Sequence, residues 1–550
     1  MDNAQRAANP LIALLLSLVT LCPAAAQDRE PPTEPEIPEI RTPIRIDGLL
    51  EEKAWDEALV RSLEYETRPG ENVEAPVETE VHLAHDQDHL YVAFRALDPE
   101  PERIRARLTD RDNAWQDDFV GVVLDTFNDE RRAFEFFANP HGAQMDLFQD
   151  DVNQKEDASW DAIWEAAGEI TDFGYVVEMA IPFRSLSFPR SSGSLVWGID
   201  ALRFYPRKDR VRISIAPLDR DLNCYLCQLE KFRGFEGITP GRNIEMVPSL
   251  TAGRTDQRRD FPGGSLEEGD LDSELGLTAS WGITPNLTLA GTVNPDFSQV
   301  EADAGQLGIN QQFALFFPEK RPFFLEGADF FDTPFDAVFT RTVADPAWGL
   351  KATGKEGRNG VGVFVAEDEI TNLIFPGNQG SSGTSLDLET QDTVIRYRRD
   401  LGSSSALGGL FTNREGGDYH NRVTGLDGLY RFTDTDELIL QLLTSETRYP
   451  ASVTEAFDQP EGTLEDDAYT LQYRHEARSW FWKLGYEDLG DDFRADMGFM
   501  PRVGYRTAVG GLERIWHGES GDWYNRIRFG GDIDRTEDQQ GRLLEEEYEL

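Results

Sequence analysis

Cysteine is nearly missing from this chain: three residues in 550, one of them, Cys22, inside an apolar leader. The other two, Cys224 and Cys227 in DLNCYLCQLEKF, have no second pair with which to complete a zinc site. Nor do they sit in the strand-then-helix setting of a thioredoxin-like redox motif. In an exported protein the oxidised local pair is the expected state, so Cys224 and Cys227 read as a structural disulfide. Positive charge is also scarce. Lys and Arg number 53 against 101 Asp and Glu, a formal net charge of −48. That balance speaks against nucleic acid as a partner and against anionic lipid surfaces. Long apolar runs are lacking as well: outside residues 11–21, nothing approaches the roughly 18–20 apolar residues of a transmembrane helix. A soluble exported protein and a β-barrel, whose strands alternate and evade hydropathy windows, both remain open. Missing too are a G-x-S-x-G elbow, an H-E-x-x-H pair and a P-loop.

What is present begins with export. Arg6, the apolar run 11–21, Pro23 and then Ala24, Ala25 and Ala26 form the pattern of a secretory signal. Residues 1–26 are therefore read as a signal peptide, and the Pro/Glu-rich residues 27–40 as a flexible linker. A chain of this length implies about two or three domains. From residue 41 to 237 short alternating segments follow one another, with turns between them. I-D-G…A-W (Ile46, Asp47, Gly48, Ala54, Trp55) comes first, then a hairpin turning at Asp86, Gln87 and Asp88, then DDFVGVVLDTF, GYVVEMAIPF and LVWGIDALRFY. This spacing predicts an antiparallel β-sandwich.

These same segments, with the SWDAIW cluster, resemble a family 9 carbohydrate-binding module, a β-sandwich attached to secreted polysaccharide-degrading enzymes. The resemblance covers most of residues 41–205 and implies a glycan ligand. Sugar rings present apolar faces, which aromatic platforms flanked by polar side chains recognise. Candidate platforms are Trp115, Trp160 and Trp164, with Arg111, Asn113 and Asp118 supplying polar contacts. Trp164 sits in a strand-like pattern that is more often core than platform, and is the weakest of the three candidates. Asp110, Asp112, Asp117 and Asp118 offer oxygen ligands of the kind calcium takes, but without the spacing of an EF-hand loop. They read as solvated surface. His82 and His85 point to opposite faces of a strand, so no metal site is assigned. Two catalytic carboxylates cannot be chosen from so many acids. No catalytic residue is assigned; were the chain an enzyme, the module's usual company points to a glycosidase acting on O-glycosyl bonds.

From residue 241 to 550 the texture changes to longer alternating strands joined by short turns and long polar loops. In residues 468–474, Tyr469, Leu471 and Tyr473 face one way while Thr470, Gln472 and Arg474 face the other. Repeated over about fourteen segments, this is the lipid-out, lumen-in grammar of an outer-membrane barrel. The chain stops at EEEYEL without a terminal aromatic, as a truncated barrel would. Residues 294–327 stand apart, with six phenylalanines, three prolines and the charges Glu319, Lys320 and Arg321. NPDFSQVEAD followed by FFPEKRPFFLEG resembles the signature of an outer-membrane barrel family of unknown function, often fused behind a family 9 module. A short helix is expected over 311–317, stopped by Pro318. The charged trio should face the lumen or the periplasmic rim, since lipid would penalise it.

The expected fold class is all-β: an N-terminal antiparallel β-sandwich, then an outer-membrane antiparallel β-barrel incomplete at its C-terminal end. The expected function is carbohydrate binding at the outer membrane of a Gram-negative-type bacterium, with a glycan and outer-membrane lipid as partners, in polysaccharide breakdown or uptake. The rivals are a secreted glycoside hydrolase with an appended module, and a structural or assembly protein of the outer membrane.

Overall fold

The computed structural model describes residues 34–151, 155–158, 160–189, 193–241, 244–254, 256–258, 263–284, 286–295, 312–317, 319–402, 404–518 and 522–550. Residues Glu36–Leu550 form one compact unit. The expected signal peptide, residues 1–26, lies outside the described residues.

The N-terminal half of that unit is two packed antiparallel sheets. One has five strands in the order Leu59–Ser62, Thr79–His85, His89–Leu97, Gly174–Pro182 and Glu165–Thr171. The other has nine, centred on Leu195–Pro206, Phe119–Asp125, Arg132–Ala138 and Gln144–Asp150. Alternation turns Val81, Leu83, Val92, Phe94, Val122, Leu124, Phe136, Val177 and Trp197 into the space between the sheets, where they form one buried core. The expected turn at residues 86–88 joins Thr79–His85 to His89–Leu97.

The I-D-G…A-W series proves to be held by a buried carboxylate. Glu178 accepts from the amides of Asp47 (3.0 Å) and Gly48 (2.7 Å) and from the Trp55 indole (2.9 Å). Gly48 has φ +86°, and a Cβ there would lie 3.0 Å from the backbone of Gly168, so glycine is needed at this turn.

The linker expectation is corrected in part. Residues 36–40 pack on the sandwich: Ile37 donates its amide to Arg233 O (2.9 Å) and Ile40 to His85 O (2.8 Å). Both side chains are buried, and two isoleucines covered by sheet outweigh the Pro/Glu content around them.

Beyond Ile244 the chain builds a single fourteen-stranded antiparallel sheet running from Ile244–Arg254 to Leu543–Glu549. Each strand pairs with the next one in the sheet, and among the described residues the two outermost strands have one neighbour each. The sheet is therefore open. Its faces are inverted relative to a water-soluble domain. On Thr463–Glu476, Tyr469 and Leu471 are 37% and 45% exposed, whereas Thr470 between them is 2% exposed. On Thr390–Leu401, Ile395, Tyr397 and Leu401 face out while Asp392, Arg396 and Asp400 are buried. The inward charges are paired: Arg396 binds Asp427 bidentately (2.6 and 2.7 Å), and Arg414 pairs with Asp368 (2.8 Å) and Asp392 (3.2 Å).

The inner face of the sheet is covered by residues within 319–345. Phe323, Phe324 and Phe331 pack there with Phe364, Val394, Leu410 and Leu443. Inward glycines make the room: a Cβ on Gly349 would lie 3.0 Å from the Phe323 ring, and one on Gly362 would lie 2.9 Å from Phe331. The helix expected over 311–317 does not form at 312–317. There Ser381 takes the hydrogen bonds, its hydroxyl accepting from Ala314 N (2.7 Å) and its amide donating to Gln312 O (2.8 Å). Gln311 and Pro318 lie outside the described residues. The helical turn is instead Pro322–Leu325, with proline at its start, where it has no amide to lose.

Candidate carbohydrate-binding face

The outer face of the nine-stranded sheet carries an aromatic group with part-exposed members. The strands Phe119–Asp125 and Arg132–Ala138 are buried on both faces, because the loops around residues 105–118 and 219–229 fold over the outer face of the nine-stranded sheet. Trp115, carried by the first loop, is half-buried. Its ring meets Phe119 and Phe137 edge-on at 5.8 and 5.9 Å. Phe204 stacks on Phe119 at 4.4 Å, and the Arg210 guanidinium lies 4.9 Å from the Phe204 ring. Arg107 borders the same loop, pairing with Asp117 (2.8 Å). Trp115 and Phe204 each pack on Phe119 and each keep a half-exposed face, and such a face near arginines can stack on a sugar ring and donate to its hydroxyls.

The other residues singled out from the sequence fall elsewhere. Trp160 and Trp164 pack against Phe134 and Phe136, whose rings point to the inner core, on the opposite side of Arg132–Ala138 from Trp115. Trp160 keeps part of its surface. Trp164 is 6% exposed and has no face to offer a ligand. Asp118 is also corrected: at 0% exposed, it accepts from Arg105 N (2.8 Å) and Arg207 Nη1 (2.9 Å). Burial pushes its carboxyl above the ordinary range, against the pull of Arg207. It anchors the loop and cannot reach a sugar.

Arg111 serves as a staple. Its guanidinium binds Asp146, Asp161 (2.8 Å) and Ala162 O (2.7 Å), tying the Trp115 loop to the Trp160 segment. Asn113 is exposed on that loop, its side-chain amide donating to Arg111 O (2.9 Å). Of the four acids weighed for calcium, only Asp112 meets others: its carboxylate converges with those of Asp146 and Asp161 within 4.8 Å. The Arg111 cation already sits among these three, and burial raises Asp112 to about 6, so the cluster is built around the guanidinium. Asp117 is taken by Arg107 and Asn139.

Cys224 and Cys227 are joined across a 3-10 turn, Leu226–Gln228, under which Tyr225 donates to the buried Asp200 (2.8 Å). In the second half, Arg321 binds Glu319 bidentately (2.8 and 2.7 Å) and caps the carbonyls of Val343 and Thr340 (2.7 Å each). The pair closes the insert upon itself at the sheet's inner face, while Lys320 is half-buried beside it. Sequence reading passed over Phe204, Arg107 and Arg210. The alternation of Leu202 and Phe204 on a strand facing out from the core was the signal available.

Comparison with known proteins follows the same division. Residues 46–219 match the family described as carbohydrate family 9 binding domain-like, and residues 260–354 match a domain of unknown function, DUF5916. No curated protein matches the chain. Among solved structures, the first part is similar to a family 9 module from Caldicellulosiruptor kristjanssonii in complex with cellotriose. The identity is 15% over 36% of this chain and 92% of that one, with a TM-score of 0.27. Pseudomonas aeruginosa OpdK, solved with vanillate, aligns at 11% identity over 76% of this chain and 94% of that one, TM-score 0.23. A BenF-like porin from Pseudomonas fluorescens Pf-5 aligns at 11% identity over 79% and 97%, TM-score 0.26. The chain is thus similar over residues 46–219 to the carbohydrate family 9 binding domain-like family, and the match to DUF5916 at 260–354 spans strands Leu271–Thr284 and Leu287–Val293 of the large sheet.

Proposed function

We propose that this chain is an outer-membrane protein that binds carbohydrate, with the sandwich (residues 41–237, extended by 36–40) as the binding module and residues 241–550 as the membrane anchor. The observation that carries this reading is the joining of a family 9 segment to a sheet with its apolar side chains turned outward. Hydrocarbon rewards that inversion and water penalises it. In the sandwich, Trp115 and Phe204 form the platform, with Arg107, Arg210 and Asn113 at its edges. The insert, including Glu319, Lys320 and Arg321, covers the sheet's inner side. A role in glycan breakdown or uptake follows from capture at the cell envelope.

The test is a glycan array probed with the purified full chain in detergent, with Trp115→Ala as the paired variant. Binding to a defined glycan class that Trp115→Ala abolishes, with the fold retained, supports the reading. Failure to bind any glycan sinks the carbohydrate half. Recovery of the chain only from the soluble periplasm or the medium sinks the membrane half.

A further inference from the structure

The two ends of the fourteen-stranded sheet differ. At one end five of the six connections are short, residues 285–286, 357–358, 402–404, 432–435 and 477–479, and the sixth is residues 518–525. At the other end lie the long connections 255–270, 294–345, 369–389, with the hairpin Thr371–Phe375 and Ser382–Leu386, 449–462, with the helix Ala451–Phe457, and 490–504, beside two short turns, 417–418 and 539–542.

The sandwich is docked on the short-turn end, through four successive turns. Lys355, before the first, binds Asp129 at 2.6 Å. At the second, Arg131 binds Asp400 at 2.9 Å and donates to Gly402 O, also at 2.9 Å. The third and fourth receive backbone contacts: Asn223 N donates to Asp434 O (2.8 Å), and Arg478 N donates to Asp221 (2.9 Å). Arg131 and Asp400 are both buried in this contact. The tip of the insert reaches the same place: Asp329 pairs with the sandwich residue Arg132 at 3.0 Å, whose guanidinium lies 4.4 Å from the Phe330 ring.

Outer-membrane barrels turn their short connections to the periplasm and their long loops outward. We infer that the sandwich lies on the periplasmic side, and that its ligand is a glycan inside the outer membrane: a cell-wall strand or an oligosaccharide already imported. This rests on the membrane reading above and fixes the side and the source of the ligand, which that reading leaves open. The platform then meets saccharide that has reached the periplasm and cannot harvest polymer at the cell exterior.

Labelling of a cysteine introduced into the full chain, whose Cys224 and Cys227 are joined to each other, tests the side in cells. Lys208→Cys places a thiol on an exposed sandwich turn, and Glu461→Cys places one in the long connection 449–462. The parent chain gives the background. With a membrane-impermeant maleimide, Glu461→Cys is expected to label in intact cells, and Lys208→Cys to rise several-fold only after the outer membrane is permeabilised. Lys208→Cys labelling in intact cells as strongly as Glu461→Cys, or the reverse pattern, overturns the inference while leaving the membrane reading in place. Both sites silent until permeabilisation, with the chain in the soluble fraction, overturns the two together. A second arm offers the purified full chain isolated cell-wall sacculi, soluble oligosaccharides and insoluble polysaccharide. Retention of sacculi or oligosaccharide supports a periplasmic ligand and tells which source. Retention of the insoluble polymer alone overturns it.

Discussion

Trp115 and Trp164 share a residue type and a sequence neighbourhood rich in polar residues, yet one is half-buried and the other buried. Trp164, edge-on to Phe136 at 5.3 Å, is a core residue. Trp164→Ala should cost about 3–5 kcal/mol, read as a lower denaturation midpoint of the sandwich. Trp115→Ala should cost less stability and remove glycan binding. Glu135, buried on Arg132–Ala138, provides a pH prediction. Burial, helped by Glu156, pushes its carboxyl from 4.5 up to about 8, against the pull of Arg212. The native state therefore keeps this proton where the unfolded chain has lost it. Its contribution to stability is full below the unfolded value, about 4.5, and is lost as pH rises toward 8. Glu135→Gln should flatten the fall in stability across that window and leave the variant more stable than the parent near its upper end, as checked by urea titrations at several pH values. A parent whose stability is level across the window would refute this. None of these environments was legible from single residues, because each depends on which face of a strand a distant loop covers.

At the scale of elements, the insert shows how composition and placement divide. Six phenylalanines and a charged trio marked residues 294–327 as a unit. Its helix was misplaced because the contest between an intrachain turn and the Ser381 loop is decided by a partner far along the chain. Arg321 holds the insert closed through Glu319, Thr340 and Val343. Arg321→Ala leaves Glu319 without its cation, at a cost on the order of 3–5 kcal/mol. The expected readout is faster limited proteolysis within residues 319–343, with the sandwich uncut. Residues 36–40 teach the converse lesson. Their Pro and Glu content reads as linker, but Ile37 and Ile40 find covered positions that only the folded sheets create.

For the whole molecule, the decisive property is the inverted sheet. An arginine on its outward face should be penalised by about 2–4 kcal/mol at mid-membrane depth. Leu471→Arg should therefore lower the membrane-assembled fraction, seen as loss of the heat-modifiable folded band on a gel. Thr470→Ser, on the inner face one residue away, should leave that band unchanged. Equal behaviour of the two variants would argue that the outward face does not meet lipid.

Sequence by itself determined the all-β class, the sandwich strands, the count of about fourteen long segments and the alternation along each, because period-two patterning is a local property of the chain. It determined the resemblance of the first part to family 9 modules for the same reason: the marks are short and contiguous. Only the tertiary structure decided that Trp115 packs on Phe119 and Phe137, that Asp118 and Trp164 are buried, and that the sandwich docks on the end of the sheet where most connections are short. Those facts rest on contacts between residues distant in sequence, such as Arg131 with Asp400, and no local pattern encodes which distant surface will cover a given side chain.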